Sequence, residues 1–419
     1  AENSQLQTIG TYAFYNSPIL SFTVPASVTL IEGSAFMSTD LSEGFFFEEE
    51  GRTEVIVLGT YLFGNTELTS VTFPDLCEVA YDTTNGYLET TIDSASNLKE
   101  INNMPGHDRY LYEGGIFYET DGNGTPVILD HAVLRDTAFV IPNTVTTIRG
   151  YAFSSMNTGT LRFEEGGTED LIVEDDAFNN SGLSEVHFPA RLAQLGSGAD
   201  APEWGIVGIG PFSYSKVEIV TFEDTEENPS RLELIPDQCF YSNENLTAIE
   251  IPRSVKRVGD QAFTPGWGGG GLYEIILHEG LEEIGDMAFA SDSGEGPFIT
   301  ELHIPSTVKS IGTNAFANAT NLTSIVFERN EDGECAIEVI GRNAFRSSAI
   351  TSIELPKTLA GSAYVTNEDT GEVEPDGQLA GYLFSNCTLL STVIFEDGCP
   401  LITSYGDGVF DGCTSYADI

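Results

Sequence analysis

The chain has 419 residues, with 17 Lys+Arg against 65 Asp+Glu and a formal net charge of −48. Such a balance excludes a nucleic-acid partner, which needs a basic face, and electrostatic docking on anionic lipid, while it attracts cations and basic partners. With 41% hydrophobic residues and 26 Phe there is ample core material, and a single core rarely exceeds ~250–300 residues, so the chain is several domains or a solenoid.

In chain order, Ala1 to Gly10 has no basic segment followed by an apolar run, so no signal peptide is read there. No apolar run reaches the ~18–20 residues of a membrane span, so no transmembrane segment is expected. A short phrase then begins to repeat. Its first copy is Ile9-Gly-Thr-Tyr-Ala-Phe14, followed by Ile148-Arg-Gly-Tyr-Ala-Phe153, Val258-Gly-Asp-Gln-Ala-Phe263, Ile284-Gly-Asp-Met-Ala-Phe289, Ile311-Gly-Thr-Asn-Ala-Phe316 and Ile340-Gly-Arg-Asn-Ala-Phe345. Looser copies end at Phe36, Phe63, Phe178, Phe212, Phe240, Phe384 and Phe410. Between copies lies an alternating strand closed by proline, as in Val71-Thr-Phe-Pro74, Ile249-Glu-Ile-Pro252, Leu302-His-Ile-Pro305 and Ile353-Glu-Leu-Pro356. Period-two apolar residues mark a strand with one buried face. Proline ends it because it lacks a ladder donor. The unit is therefore strand, turn, Val or Ile, then a Gly-x-x-Ala-Phe turn expected to be short helical or irregular. No single coil can bury its apolar side, so neighbours must stack.

Two coil types alternate. One strand type ends in Pro, at Pro25, Pro74, Pro142, Pro189, Pro252, Pro305 and Pro356. The other ends in Phe plus acid, at Phe47-Glu, Phe163-Glu, Phe222-Glu, Phe327-Glu and Phe395-Glu. Much of the negative charge is thus expected at one edge of alternate coils, where loose Ca²⁺ binding is conceivable and a solvated edge is the plainer reading. The stretch 75–138 departs from the repeat. Its Gly115-Ile-Phe-Tyr…Asp-Gly-Asn-Gly…Val-Ile-Leu129 reads as a β-hairpin insertion, because Ala132 stands where an EF-hand needs its closing Glu.

These phrases resemble the BspA-type leucine-rich repeat family of bacterial surface proteins. Ile304 to Phe316 and Ile251 to Phe263 carry the family phrase almost whole, and Cys387 and Cys413 match the family's Cys three residues after Phe. The resemblance implies a leucine-rich repeat solenoid over 1–419. It is expected as a right-handed β/α-type superhelix of about 14–16 coils, with strands on one side and short turns on the other. It implies an extracellular or cell-surface binding protein, its signal or anchor absent from this chain. Adhesion to a host or neighbouring-cell protein or glycan would proceed through the extended surface. The alternatives are a structural spacer or display stalk, and a surface glycan-binding protein.

No enzyme, cofactor or metal site is read. The five histidines form no HExxH, and no GxSxG or P-loop occurs. The six cysteines form no CxxC pair. Cys387 and Cys413 share a coil position and are expected as stacked thiols. Candidate binding residues come from two places. Trp204 and Trp267 lie in insertions, and Trp is enriched at hot spots. The insertions run over Gly196–Gly205, Pro265–Gly271, Ser291–Pro297 and Gly361–Gln378. The outward column of successive strands reads Arg162, His187, Thr221, Glu250, Ile276, His303, Val326, Glu354 and Ile394, a polar and apolar mixture that suits a macromolecular partner.

Overall fold

The structure, a computed structural model, describes residues 4–84, 88–134, 136–154, 156–197, 210–266, 270–290, 296–366, 373–399 and 404–415. Each repeat is a coil of two short strands and one turn, and like strands of successive coils pair in parallel. The chain is a leucine-rich repeat β-solenoid of about 12 turns. Two details differ from the sequence expectation. Among the described residues there is no helix. The turns, about 12, are also fewer than fourteen. Between Leu379 and Tyr405 only an isolated bridge forms.

The chain divides into two compact units, 1–139 with 156–159, and 140–155 with 160–419. In the first, the second strands Thr8–Ile9, Leu30–Ile31, Ile56–Leu58 and Cys77–Val79 make a four-stranded parallel sheet. Its first strands pair two by two, Ser21–Val24 with Gly44–Phe47 and Ser70–Thr72 with Glu100–Asn102. Strands Tyr110–Glu113, Ile116–Thr120 and Pro126–Ala132 then pair antiparallel. The turn before the last is closed by Asp121, whose Oδ1 accepts the amides of Asn123 (2.8 Å) and Thr125 (3.2 Å).

In the second unit, Leu234–Ile235, Arg257–Val258, Glu283–Ile284, Ser310–Ile311 and Val339–Ile340 form a five-stranded parallel sheet of second strands. Of the first strands, Thr158–Phe163, Glu185–Phe188 and Ile219–Phe222 run side by side in parallel, and the later ones pair in twos. Ala248–Glu250 joins Glu274–Ile276, Glu301–Ile304 joins Ser324–Phe327, and Ser352–Leu355 joins Thr392–Phe395. Register keeps like against like, so Leu302 and Ile304 face inward beside Ile325 and Phe327, all buried. An added hairpin, Tyr364–Thr366 with Val373–Pro375, rises from the last insertion.

The Gly-x-x-Ala-Phe turn is not a helical turn. The residue two before Phe takes a left-handed φ, 54° at Met287 and 57° at both Asn314 and Asn343. So does the residue two after it, 65° at Asn318 and 59° at Ser347. A right-handed helix cannot pass through such residues. Tight turns form instead. In the coil around Phe316, the amides of Ala315, Ala317 and Ala319 close onto the carbonyls of Gly312, Asn314 and Phe316. The amides between them, of Asn314, Phe316 and Asn318, donate to Arg342, Ala344 and Arg346 of the next coil at 2.8, 2.9 and 2.8 Å. The turn backbone is thus satisfied alternately within and between coils.

This close stacking explains the repeat Gly and Phe. Gly312 has an ordinary φ, yet a Cβ on it would sit 2.6 Å from Asp286 N and Gly285 C. A Cβ on Gly341 would lie equally close, 2.6 Å, to Gly312 C and Thr313 N. Glycine is there for the neighbour's backbone. The phenylalanines form a face-to-face ladder. In the second unit Phe153, Phe178, Phe212, Phe240, Phe263, Phe289, Phe316, Phe345, Phe384 and Phe410 stack in order, with centroids 4.4 to 6.2 Å apart. Most are fully buried.

Gly312→Ala should therefore cost about 1–3 kcal/mol by overpacking against backbone. Gly106→Ala should change stability by less than about 0.5 kcal/mol, because nothing lies within 4 Å of a Cβ there. Phe289→Ala should cost about 3–5 kcal/mol. Urea denaturation followed by circular dichroism reads all three. Equal midpoints for the two glycine variants would refute the close-approach account.

Candidate functional site

The outward face of the first strands in the second unit carries the column expected from sequence. Arg162, Glu250, Ile276, His303, Val326, Glu354 and Ile394 are exposed, and His187 is half-buried. Parallel register sets several directly side by side: His187 by Thr221, Glu250 by Ile276, His303 by Val326 and Glu354 by Ile394. The polar members are tied to each other. His187 contacts Glu185 (3.2 Å) and Thr221 (2.8 Å), and Arg162 reaches Glu185 at 3.5 Å. His278 meets Glu250 at 2.8 Å. His303 lies between Glu301 (3.3 Å) and Glu328 (3.1 Å). Arg329 pairs with Glu396 (2.9 Å) and Glu354 (3.7 Å). Such exposed pairs add little stability each. They leave Ile276, Val326 and Ile394 as apolar points within a charged frame, Ile394 being 51% exposed. Ile219, 44% exposed, also points outward. A column of one residue per strand missed it, because it lies two residues before Thr221 on the same strand.

The acidic edge proves to be structural in large part. In four coils the acid after Phe clasps the proline of the neighbouring strand. Glu48 donates its amide to the Val24 carbonyl (2.9 Å), and its Oε2 accepts the amide of Ala26 (3.2 Å). Glu164 does the same around Pro142, with Ile141 (2.9 Å) and Asn143 (3.2 Å). Glu223 spans Phe188 (2.9 Å) and Ala190 (3.2 Å), and Glu396 spans Leu355 (3.0 Å) and Lys357 (2.9 Å). Two further acids cap from the coil before, Asp224 on the amide of Arg253 (2.7 Å) and Glu279 on that of Ser306 (2.9 Å). Proline stops the ladder, and the carboxylate satisfies the amide that follows it. The Lys357 amide, then Arg329, hold the Glu396 carboxyl below its ordinary value of 4.5. The Thr11 amide and hydroxyl do the same for Glu32. Among the described residues no group of three or more His, Cys, Asp and Glu is placed to hold a metal ion.

In the first unit His131 is a charged knot that sequence reasoning missed. Its Nδ1 contacts Asp130 (3.0 Å) and its Nε2 contacts Asp93 (2.9 Å). Burial opposes its charge, but Asp93 and Asp130 outweigh burial and hold its pKa up at about 10. It fastens the Pro126–Ala132 strand to the preceding coil.

All six cysteines are free. The thiols of Cys387 and Cys413 donate to the carbonyls of Phe345 (3.2 Å) and Phe384 (3.1 Å), one coil back. Thr39 makes the same bond to Phe14 (2.6 Å), which explains why Thr replaces Cys at that place. Burial pushes the Cys413 thiol up to about 11. Trp204 and Trp267 lie outside the described residues. No helix among the described residues is long and apolar enough to cross a membrane.

The family description "BspA type Leucine rich repeat region" matches residues 2–87, 135–199 and 233–364, in 6 copies. Among solved structures, a leucine-rich repeat protein from Bacteroides ovatus is 17% identical, with a TM-score of 0.45, covering 84% of this chain and 83% of that one. One from Eubacterium ventriosum is 21% identical, with a TM-score of 0.40, covering 83% and 82%. A leucine-rich cell surface protein from Faecalibacterium prausnitzii is 16% identical, with a TM-score of 0.28, covering 93% and 83%. No curated protein matches the chain.

The clasps and the knot act at opposite ends of the pH scale. Depressed carboxyls such as Glu396 give stability that is present above pH 4.5 and lost as pH falls. Glu396→Gln should lower the melting temperature at neutral pH and flatten its decline below pH 4.5; an unchanged acid limb would refute the clasp. The raised pKa of His131 works in reverse. Its contribution is full below the ordinary 6.5 and lost as pH rises through about 10. His131→Gln should melt lower at pH 7 and lose that alkaline decline, as followed by a thermal scan from pH 6 to 11.

Proposed function

The chain belongs to the BspA-type leucine-rich repeat family, and from that premise we propose that it is an extracellular or bacterial cell-surface binding protein. It engages a host or neighbouring-cell macromolecule, preferably a protein, in adhesion. One observation carries the reading. The outward strand column sets Ile276, Val326 and Ile394 among paired charges on one continuous type of surface. Exposed apolar residues in a polar frame are the composition of an interaction surface, and repeated strands offer it over an extended length. The mechanism is multivalent contact with no catalytic step. Calcium on the acidic turns is a weaker element of the proposal, since several of those carboxylates already accept backbone amides.

The test is a host-protein array and a glycan array probed with this chain at low and high salt. The combined variant Ile276→Glu, Val326→Glu and Ile394→Glu changes only exposed positions and should keep its circular dichroism spectrum. A loss of protein binding of about tenfold or more in that variant supports the reading. Loss confined to Trp204→Ala or Trp267→Ala on the glycan array moves the function to glycan recognition. No binding on either array overturns the proposal in favour of a spacer.

A further inference from the structure

The second unit holds a cleft of about 560 Å³ at the edge of the strand face, lined by Arg162, Gly167, His187, Arg191, Glu223 and Arg231 among others. Few basic residues exist in a chain with 17 Lys+Arg, yet three arginines meet here. Arg191 is unusual among them, being only 4% exposed. Its Nη1 donates to the carbonyls of Val145 (2.9 Å) and Glu169 (3.3 Å). Its Nε and Nη2 are buried and find no acceptor among the described residues, and it forms no ion pair among them.

The same protein shows what a structural buried arginine looks like. Arg52, 8% exposed, donates Nε to Glu48, Nη1 to Val28 and Nη2 to Pro25, all backbone carbonyls at 3.0 to 3.3 Å. Every guanidinium nitrogen of Arg52 thus has an acceptor. At Arg191 the two open N–H groups belong to one edge of the guanidinium, the edge whose parallel hydrogens match the two oxygens of an oxyanion. Buried polar groups left unpaired are rare and call for a partner.

The surroundings agree. Gly167, at a left-handed φ of 80°, packs against that edge: a Cβ on it would stand 2.7 Å from the Asn143 carbonyl oxygen and 3.0 Å from Arg191 Nε. Arg231 adds positive charge; burial first, then Arg231, hold the Arg191 guanidinium below its ordinary value. Glu165 also lines the cleft, while three other nearby carboxylates are engaged elsewhere. Glu164 accepts the Asn143 amide, Glu223 accepts Ala190 and Asn228, and Asp170 holds Arg231 itself.

We propose that Arg191, supported by Arg231, binds a compact oxyanion in this cleft, the carboxylate or sulfate group of a ligand. The open edge of Arg191 takes two oxygens side by side, and Arg231 at the rim supplies attraction and selects against cations. The site stands whether or not the strand face binds a macromolecule, because its ligand is a single small group.

Calorimetry with sodium acetate and sodium sulfate, against sodium chloride at equal ionic strength, tests it on the whole chain. Saturable heats with acetate or sulfate, absent with chloride, are expected, and the stronger of the two tells which group the site prefers. Arg191→Gln and Gly167→Ala should each weaken binding about tenfold or more. Should either fail to fold, Arg231→Gln decides, since Arg231 is on the surface; it should weaken binding about threefold with an unchanged melting temperature. Acetate and sulfate behaving as chloride, or Arg231→Gln binding like the parent chain, overturns the proposal.

Discussion

Every second amide of the Gly-x-x-Ala-Phe turn donates to the coil beside it, and most of the repeat follows from that one shared hydrogen bond. For the amides to reach, the turn backbones must lie almost in contact. That contact removes the side chain from Gly312 and Gly341. It also goes with left-handed φ at the residues two before and two after Phe, as at Asn314 and Asn318. Each such residue other than Gly costs about 1–2 kcal/mol. The offset is the ladder of buried phenylalanines, held in register by the same stacking.

Proline sets the second constraint. A proline at the end of alternate first strands stops the parallel ladder and leaves the next amide without a strand partner. The neighbouring coil answers with an acid that bonds on both sides of the proline, as Glu223 does around Pro189 and Glu396 around Pro356. The two coil types are therefore halves of one device. Part of the net charge of −48 is accounted for by backbone chemistry. An acid edge that seemed available to cations is partly occupied by amides.

Much of this was legible from the order of residues, and the limits have physical causes. Inward and outward faces of the first strands followed from period two, so Leu302 and His303 fall on opposite sides as expected. The Phe and Ala of the turn read correctly as core. The turn reads from sequence only as short helical or irregular, because Ala and Phe suit a helix locally, and amides donated to another coil decide for the irregular form. The proline clasp was hidden for a similar reason. Glu48 and Ala26 stand 22 residues apart, and nothing local marks a carboxylate as an acceptor rather than a solvated charge. His131 was invisible because its partner Asp93 lies 38 residues away in a stretch without the repeat. The apolar outward positions were legible, but Ile219 was not, since a strand offers two outward places and the column took one.

A solenoid that uses its polar groups so completely makes the unused ones informative. Asp237 and Asp260 accept amides from the next coil, Cys387 and Thr39 cap carbonyls, and each guanidinium nitrogen of Arg52 donates to backbone. In such a framework charge alone is a poor guide to function, because part of it serves the fold. What distinguishes a binding element is failure to be consumed: apolar side chains with no core to enter, and donors with no acceptor. Ile276, Val326 and Ile394 meet the first condition and the open edge of Arg191 meets the second. Both lie in the second unit, whose repeats are the more regular. Regularity frees the outward positions, since a side chain that stacking does not require can vary without disturbing the coil beneath it.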